Sequence, residues 1–434
     1  MNAMAKPVPG SMSNAAYEQR LRDAVMDAAP LLNARLLPVS VRSAALNKAL
    51  AAGLPQLRDD LWRYADLRFL ASAALAPAAA VKPEALAAAV TGLLPPKLAG
   101  YTRLVFGDGR LVDTLSDSCP ELDAGAPPLV PDRTRHERFG WLNDAFATDV
   151  ARLDVHGAQR LEVVFAATPG AARQAVHPRL ELSAAANADV VLVERHVGTT
   201  GAQGLVNAAV QLNAGAGSRV RHLRWQALDE DAQLLDTVQL ALDRDARYEL
   251  TQLQLGARSA RTSLRASLYG PGAQLALHGV AVATGRRTLD HSLLVDHLAP
   301  QTRSKQVFRA VARDATRIAC RSRVEVGRTA RGADSSQSLK GLIAGSGEID
   351  LRPQLEILTD AVRASHGATT GSLDENMRFY LAARGLDPAI TRALLEWAFL
   401  EDALRDLDLP ELRSAAEHAL ARALGSDIAQ QVLA

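Results

Sequence analysis

Asn187-Ala-Asp-Val190, Gly217-Ser-Arg-Val220, Asp245-Ala-Arg-Tyr248, Gly272-Ala-Gln-Leu275, Asp314-Ala-Thr-Arg-Ile318 and Ser346-Gly-Glu-Ile349 are six forms of one short cue. Each joins a turn residue to a small one, then a polar one, then the first apolar residue of a strand, with one extra residue at Asp314. Most successive cues lie about 27 to 32 residues apart, and the longer interval between Gly272 and Asp314 has room for an inserted loop or an extra strand pair. Self-similarity at such a period, without helices between the strands, is the sequence sign of stacked coils in a β-solenoid. A β-sandwich would also give many short strands, and the solenoid is preferred to it. One coil cannot bury its inner face alone, so the stack needs lids, and a helical lobe at either end would serve.

Outward from the repeats, the strand pattern reaches back to Leu104-Val-Phe-Gly-Asp-Gly-Arg-Leu-Val112, which reads as a strand, a Gly-Asp-Gly turn and a second strand. Leu161-Glu-Val-Val-Phe165 and Val190-Val-Leu-Val-Glu194 read as further strands. Before them, Tyr17, Leu21, Val25 and Ala28 recur at helical spacing up to Pro30. A second helix is expected from an N-cap at Ser43 to the stop at Gly53 and Pro55. Trp62 and Tyr64, in Arg58-Asp-Asp-Leu-Trp-Arg-Tyr-Ala-Asp-Leu67, read as packing anchors for this lobe. After the repeats, Met377, Tyr380 and Leu381 share a helical face, Gly385 is a C-cap, Asp387-Pro388 restarts a helix, and Asp408-Leu-Pro410 opens a third. The expected organisation is a flexible leader at 1–13, an N-terminal helical domain at 14–100, a β core at 101–365 and a C-terminal helical domain at 366–434.

Composition supports this plan. A chain of 434 residues is too long for one ordinary core unless a repeat architecture stretches it. Hydrophobic residues make up 48% but aromatics only 4%, so the interior is built from Ala, Val and Leu. With 49 Lys and Arg against 48 Asp and Glu there is no global basic field to attract nucleic acid or an anionic membrane. Cys119 and Cys320 form no close-spaced pair, so neither a disulfide framework nor a zinc knuckle is suggested, and a reducing, cytoplasmic location is expected. The N-terminus shows no secretory pattern, and the alanine-rich stretch Leu70–Val81 is far short of the roughly 20 residues a membrane span needs.

The readable enzyme signatures GxxxxGK[ST], GxSxG and HExxH do not occur. Most of the ten histidines are scattered singly. His291 and His297 would share one face of a strand, with Asp290 and Asp296 on the other. That arrangement suits either a pair of imidazoles at a metal or an exposed polar ladder. His366 sits between small residues where β pattern gives way to helix, in Arg363-Ala-Ser-His-Gly-Ala-Thr-Thr-Gly-Ser-Leu-Asp-Glu375. Its own neighbourhood fits a chemical role and a structural one equally.

Several spaced motifs carry a resemblance. Pro353-Gln-Leu-Glu-Ile357, Ser365-His-Gly-Ala-Thr369, Leu373-Asp-Glu375, Phe379-Tyr-Leu381, Arg384-Gly385 and Ala398-Phe-Leu400 together resemble the C-terminal signature of the SufB/SufD family of iron–sulfur cluster assembly components, on its SufD side. Asp59-Asp-Leu-Trp-Arg-Tyr-Ala-Asp-Leu67 is similar to the family's N-terminal E-x-W-K-Y-T-D-L element, and His177-Pro-Arg179, Glu194-Arg-His-Val-Gly-Thr199 and Asp296-His-Leu-Ala-Pro300 to its middle region.

The resemblance implies a right-handed parallel β-helix flanked by helical domains. It also implies a noncatalytic scaffold subunit that pairs with a SufB-like scaffold through the β-helices and engages a SufC-like ABC-type ATPase through its C-terminal helices. Phe379, Tyr380, Arg384 and Phe399 are then the residues expected to dock the ATPase. His366 matches the histidine expected to face the SufB-like partner and to hold iron or a nascent iron–sulfur cluster for delivery to apoproteins. The chain departs from the family at Ala364, where a cysteine is common, and in Ala333-Asp-Ser-Ser-Gln-Ser-Leu-Lys-Gly341, which is poorer in asparagine and arginine than usual. Cys320, in a predicted strand, reads as an inert core residue. Association of reduced flavin with the complex and a homodimer in isolation stay open. Two rival readings are a β-helix enzyme acting on polysaccharide, which needs a carboxylate cluster on one coil face, and a SufB-like scaffold, disfavoured by the two cysteines.

Overall fold

A computed structural model describes residues 13–28, 37–55 and 59–425, apart from positions 66, 72, 74, 78, 80, 123–127, 130–131, 135–136, 170–173, 200 and 202–203. Positions 1–12 of the leader, Pro30 and His136 fall outside the described residues.

Four helices belong to the N-terminal part: α1 (Asn14–Ala28), α2 (Val39–Ala52), α3 (Pro83–Thr91) and α4 (Arg138–Phe146). The strands that begin around them are β1 (Thr102–Gly107), β2 (Arg110–Leu111), β3 (Ala151–Val155), β4 (Ala158–Ala167), β5 (Ala175–Val176), β6 (Arg179–Ala184), β7 (Asp189–Gly198), β8 (Leu205–Ala214) and β9 (Arg219–Leu228). They continue as β10 (Gln233–Leu242), β11 (Arg247–Gln254), β12 (Ser259–Leu268), β13 (Gln274–Ala283), β14 (Thr288–His297), β15 (Arg303–Arg313), β16 (Arg317–Val326), β17 (Ala333–Ala344), β18 (Glu348–Ile357) and β19 (Val362–Gly371). The tail forms α5 (Glu375–Ala382), α6 (Pro388–Glu401) and α7 (Pro410–Ala423).

The strands form a parallel β-solenoid, as the cues predict. From β6 onward strands alternate between two sheets, so each coil adds one strand to each. One sheet runs β2-β1-β4-β7-β9-β11-β13-β15-β17-β19, and is called here the first sheet; the second runs β3-β6-β8-β10-β12-β14-β16-β18. Among the named strands only the β1–β2 hairpin is antiparallel, with Asp108 and Gly109 at positive φ in its turn.

The cue has a conformational cause. Asn187, Gly217, Asp245 and Gly272 all have φ between 56° and 73°, a left-handed region that Asn, Asp and Gly enter at least cost. The next coil uses Gln301 and the one after Gly332 at the same corner, each amide reaching a carbonyl of the coil above: Asp245 to Pro271, Gly272 to Pro300, Gln301 to Arg331. Gly285, Asp314 and Gly345 occupy a different corner, before strands of the second sheet. The long interval between Gly272 and Asp314 therefore holds no inserted loop. The six cues sample two corners of a stack whose true repeat stays near 30 residues.

Inside the stack, Leu, Val and Ala from alternate positions of both sheets make one continuous core from Leu104 to Leu339. The segment carrying Leu111, Cys119 and Leu122 packs against its N-terminal end. The helices do not serve as two end lids. The α1/α2/α4 lobe covers the outer face of the second sheet, where Trp141, Leu142 and Phe146 join Leu205 and Leu235 in one cluster. The α6–α7 pair covers the outer face of the first sheet, with Leu400, Leu404, Leu412 and Leu420 against Val191, Val193, Leu223, Val280 and Val307. Two sequence expectations shift. Helix α2 starts at Val39 after Pro38, ahead of the expected Ser43 cap. Strand β19 runs to Gly371, six residues past the expected end of the β core.

Candidate functional site at the open end of the solenoid

Strand β18 ends the second sheet and β19 ends the first, and nothing among the described residues pairs with their outer edges. Strand β19 is exposed over nearly its whole length, and in β18 Ile349, Leu351 and Leu355 are only partly buried although they point inward like their buried counterparts one coil earlier. An edge of unpaired backbone N–H and C=O groups beside half-covered aliphatic side chains is a template for another chain.

His366 lies in the middle of this edge, a correction to its expected place at a strand-to-helix junction. It registers with Gln337 and, through it, with Gln306. In both those coils that position is buried, and in the last coil it is exposed. The imidazole thus occupies an inward-facing position of a coil with no neighbour, together with Ala364, Ala368 and Thr370. No hydrogen-bond or ion-pair partner holds it among the described residues. Beneath it, Gln337 donates from Nε2 to the Gln354 carbonyl at 3.2 Å and leaves its own Oε1 buried without a partner.

Beyond the edge, Asp374 caps α5 by accepting from the Asn376 and Met377 amides at 2.8 and 3.4 Å. Helix α5 buries none of its residues: Phe379 is 76% exposed, Tyr380 50% and Met377 47%. The Arg384 guanidinium lies over the Tyr380 ring at 3.5 Å from its centroid. Phe379, Tyr380 and Arg384 are therefore gathered at one exposed helix. Phe399 is apart from them, packed on α6 against the cluster between α6–α7 and the first sheet.

The other singled-out residues resolve into packing. His291 and His297 do share a face of β14, and that face points into the solenoid, so neither imidazole belongs to an exposed ladder. His291 sits edge-on to Phe308 at 4.9 Å, and His297 lies 2.8 Å from both the Thr302 and Ser304 hydroxyls. Burial pushes them down to about 3 and about 4 respectively, so both are neutral at physiological pH. Asp290 and Asp296 point outward and pair with Arg261 and Arg265. Burial pushes the Cys320 thiol far up, and burial with the neighbouring Glu121 pushes Cys119 up to about 11. Trp62 acts as an anchor, 5.2 Å from Phe139 and with the Arg261 guanidinium 3.8 Å above its ring; Tyr64 lies between Arg317 and Arg352, 4.9 and 5.0 Å away. Among the described residues no group of three or more His, Cys, Asp and Glu is arranged to hold a metal ion.

Sequence reasoning missed an ionic network inside the coils. Arg224 on β9 donates to Glu194 on β7 at 2.8 and 2.7 Å and to Asp236 on β10 at 2.8 and 3.1 Å. His196 and His222 approach Glu194 at 2.5 and 3.2 Å, and the Thr262 hydroxyl donates to Asp236. Burial raises the Glu194 pKa, but Arg224 and the two imidazoles outweigh it and hold the carboxyl well below the usual range. The signal was available: Glu194 and Arg224 are 30 residues apart, one coil, at inward positions of adjacent strands.

The family model for the SUF system FeS cluster assembly SufBD core domain matches residues 165–399, from within β4 to α6. The iron–sulfur cluster assembly protein SufD of Escherichia coli K12 is 27% identical over 84% of this chain and 89% of its own length. SufBD family proteins of Synechocystis and of Mycobacterium leprae are each 25% identical, over 83% and 85% of this chain and 85% and 91% of their own lengths.

Proposed function

Because this chain belongs to the SufBD family of the SUF iron–sulfur cluster assembly system, we propose that it is the SufD-like, noncatalytic subunit of a SufB–SufC–SufD-type complex. The observation that carries this reading is the unpaired end of the solenoid, where β18 and β19 leave two strand edges and an inward-facing His366 uncovered. A SufB-like partner with a matching end would continue both sheets, satisfy the free backbone groups and bury Ile349, Leu351 and Leu355.

Iron or the nascent cluster is cargo here. Closing the end would bring His366 into a site completed by the partner, where a neutral imidazole nitrogen is a suitable iron ligand and its protonation releases it. Ala364 shares that face and offers no thiol, so thiolate ligands would have to come from the partner. The exposed α5 patch is the docking surface proposed for the SufC-like ATPase, which would supply ATP hydrolysis. Family membership, with the outward Asp290 and Asp296 tied up by arginines, favours this reading over an enzyme acting on polysaccharide.

The test is co-expression with SufB-like and SufC-like partners, anaerobic purification, and His366→Ala. The complex is expected to stay intact while the iron and acid-labile sulfide it retains fall sharply. Unchanged cluster assembly in an intact complex would sink the role of His366, and failure of the wild-type chain to copurify with a SufB-like partner would sink the end-to-end pairing.

A further inference from the structure

A groove of about 490 Å³ crosses the starts of β9, β11, β13, β15 and β17 on the outer face of the first sheet, roofed by the Asp406–Leu412 segment that leads into α7. Parallel register lays one outward position of each coil in a row: Arg219, Arg247, Gln274, Arg303 and, on β17, Asp334, which pairs with Arg363 at 3.5 Å. The next outward row adds Arg221, Glu249 and Lys305.

Three of these cations are answered. Arg219 meets Asp408 at 2.7 Å and Glu249 at 3.3 Å, Arg221 meets Asp189 at 2.5 Å, and Lys305 meets Asp406 at 2.5 Å. Arg247 and Arg303 line the same groove, and their guanidinium groups have no hydrogen-bond or ion-pair partner among the described residues. They flank Gln274, one strand to each side, so their Cα atoms are about 10 Å apart, close enough for two guanidinium groups to converge on one tetrahedral anion.

We propose that this groove binds a small organic phosphate, with Arg247 and Arg303 forking onto the phosphate, the Gln274 amide between them as a further donor, and the partly buried Leu407 of the roof facing the organic part. The roof carboxylates Asp406 and Asp408 sit on Lys305 and Arg219. A second phosphate group would compete for those two cations, so occupancy would loosen the turn between α6 and α7. The site is independent of the open solenoid end and of any partner bound there.

The experiment is a calorimetric titration of the full chain with inorganic pyrophosphate, paired with hydrogen exchange of the roof. The wild type is expected to bind in a saturable, one-to-one manner and to exchange faster over residues 404–412 when loaded. Arg247→Gln with Arg303→Gln should weaken binding by about tenfold or more, the scale of one lost charge-assisted fork. Asp408→Asn should tighten it several-fold, whereas Arg328→Gln, an exposed arginine on another turn, should leave it unchanged. All four positions are on the surface or the groove wall, so unaltered unfolding midpoints serve as the folding control. Absence of saturable binding, full retention in the double variant, or an equal loss in Arg328→Gln would each overturn the proposal.

Discussion

Replacing Arg224 by Met fills most of the same space inside the coil but removes the cation between two carboxylates. The guanidinium makes four contacts of 2.7 to 3.1 Å to Glu194 and Asp236, all within the solenoid. Taking one partner from a buried charge cluster typically costs about 3–5 kcal/mol, because the remaining charges have no water to turn to. The sign with pH follows from Glu194. In the wild type its carboxyl is held well below the usual range, so its contribution is present above the unfolded value near pH 4.3 and is lost as pH falls through the folded value. In the variant burial acts without Arg224, Glu194 takes up a proton on folding, and stability is lost as pH rises above about 4.3, by up to about 1.4 kcal/mol per unit. The gap between the two proteins should therefore widen from pH 5 to pH 7.5. Urea unfolding followed by tryptophan fluorescence, with Trp225 on the adjoining outer position of β9, measures it. A cost under about 1 kcal/mol at pH 7.5, or an equal cost at both pH values, would refute the reasoning. Replacing Glu194, Arg224 and Asp236 together by apolar residues of similar volume should recover most of the loss, since no unpaired charge is left behind.

Phe379→Ala with Tyr380→Ala on α5 should change unfolding by no more than about 0.5 kcal/mol, as expected for side chains without burial, while abolishing pull-down of a SufC-like partner. Truncation after Gly385 would be a poor substitute, because it strips α6 and α7 from the first sheet and exposes a core cluster. His297, depressed to about 4 from the usual 6.5, makes the fold disfavour its charged form, so stability should fall as pH drops from about 6.5 toward 4. His297→Gln should flatten that slope, and an unchanged pH profile in equilibrium unfolding would count against the buried, neutral imidazole.

The solenoid was readable because the turns demand a backbone conformation that few residues adopt cheaply, and those residues recur at each coil. The interval that looked irregular arose where the reading slipped from the Asn187 corner to the Asp314 corner, passing over Gln301, a residue with no special liking for positive φ. Helix α4 escaped notice because all nine of its residues are buried, which erases the polar face that makes a helical period visible. The helical lobes were legible as helices but not as coverings of the outer faces. The hint lay in Val190-Val-Leu-Val193, apolar at consecutive positions, as a strand covered on both sides must be. His366 could be singled out, but its strand could not: β19 carries small and polar residues at its inward positions, a trend that begins with Ser304 and Gln306 on β15 and Ser335 and Gln337 on β17, so the apolar alternation that marks earlier strands fades before the last coil. Of the four residues expected to dock an ATPase, Phe379, Tyr380 and Arg384 stand together at α5, while Phe399 is drawn away into apolar surroundings.

A stack packed over at its first coil and, among the described residues, bare at its last has a direction in its stability as well as in its sequence. Coils in the middle are held by two neighbours, whereas β18 and β19 are held by one, so fraying begins at that end and its depth is set by nearest-neighbour terms. Whatever docks there contributes in proportion to the logarithm of its concentration. With the proposed partner docked there, the final coil would act as a stoichiometry gauge: with that partner scarce, it would be the first part of the solenoid to open to proteases, and an unmatched copy would be removed from that end inward.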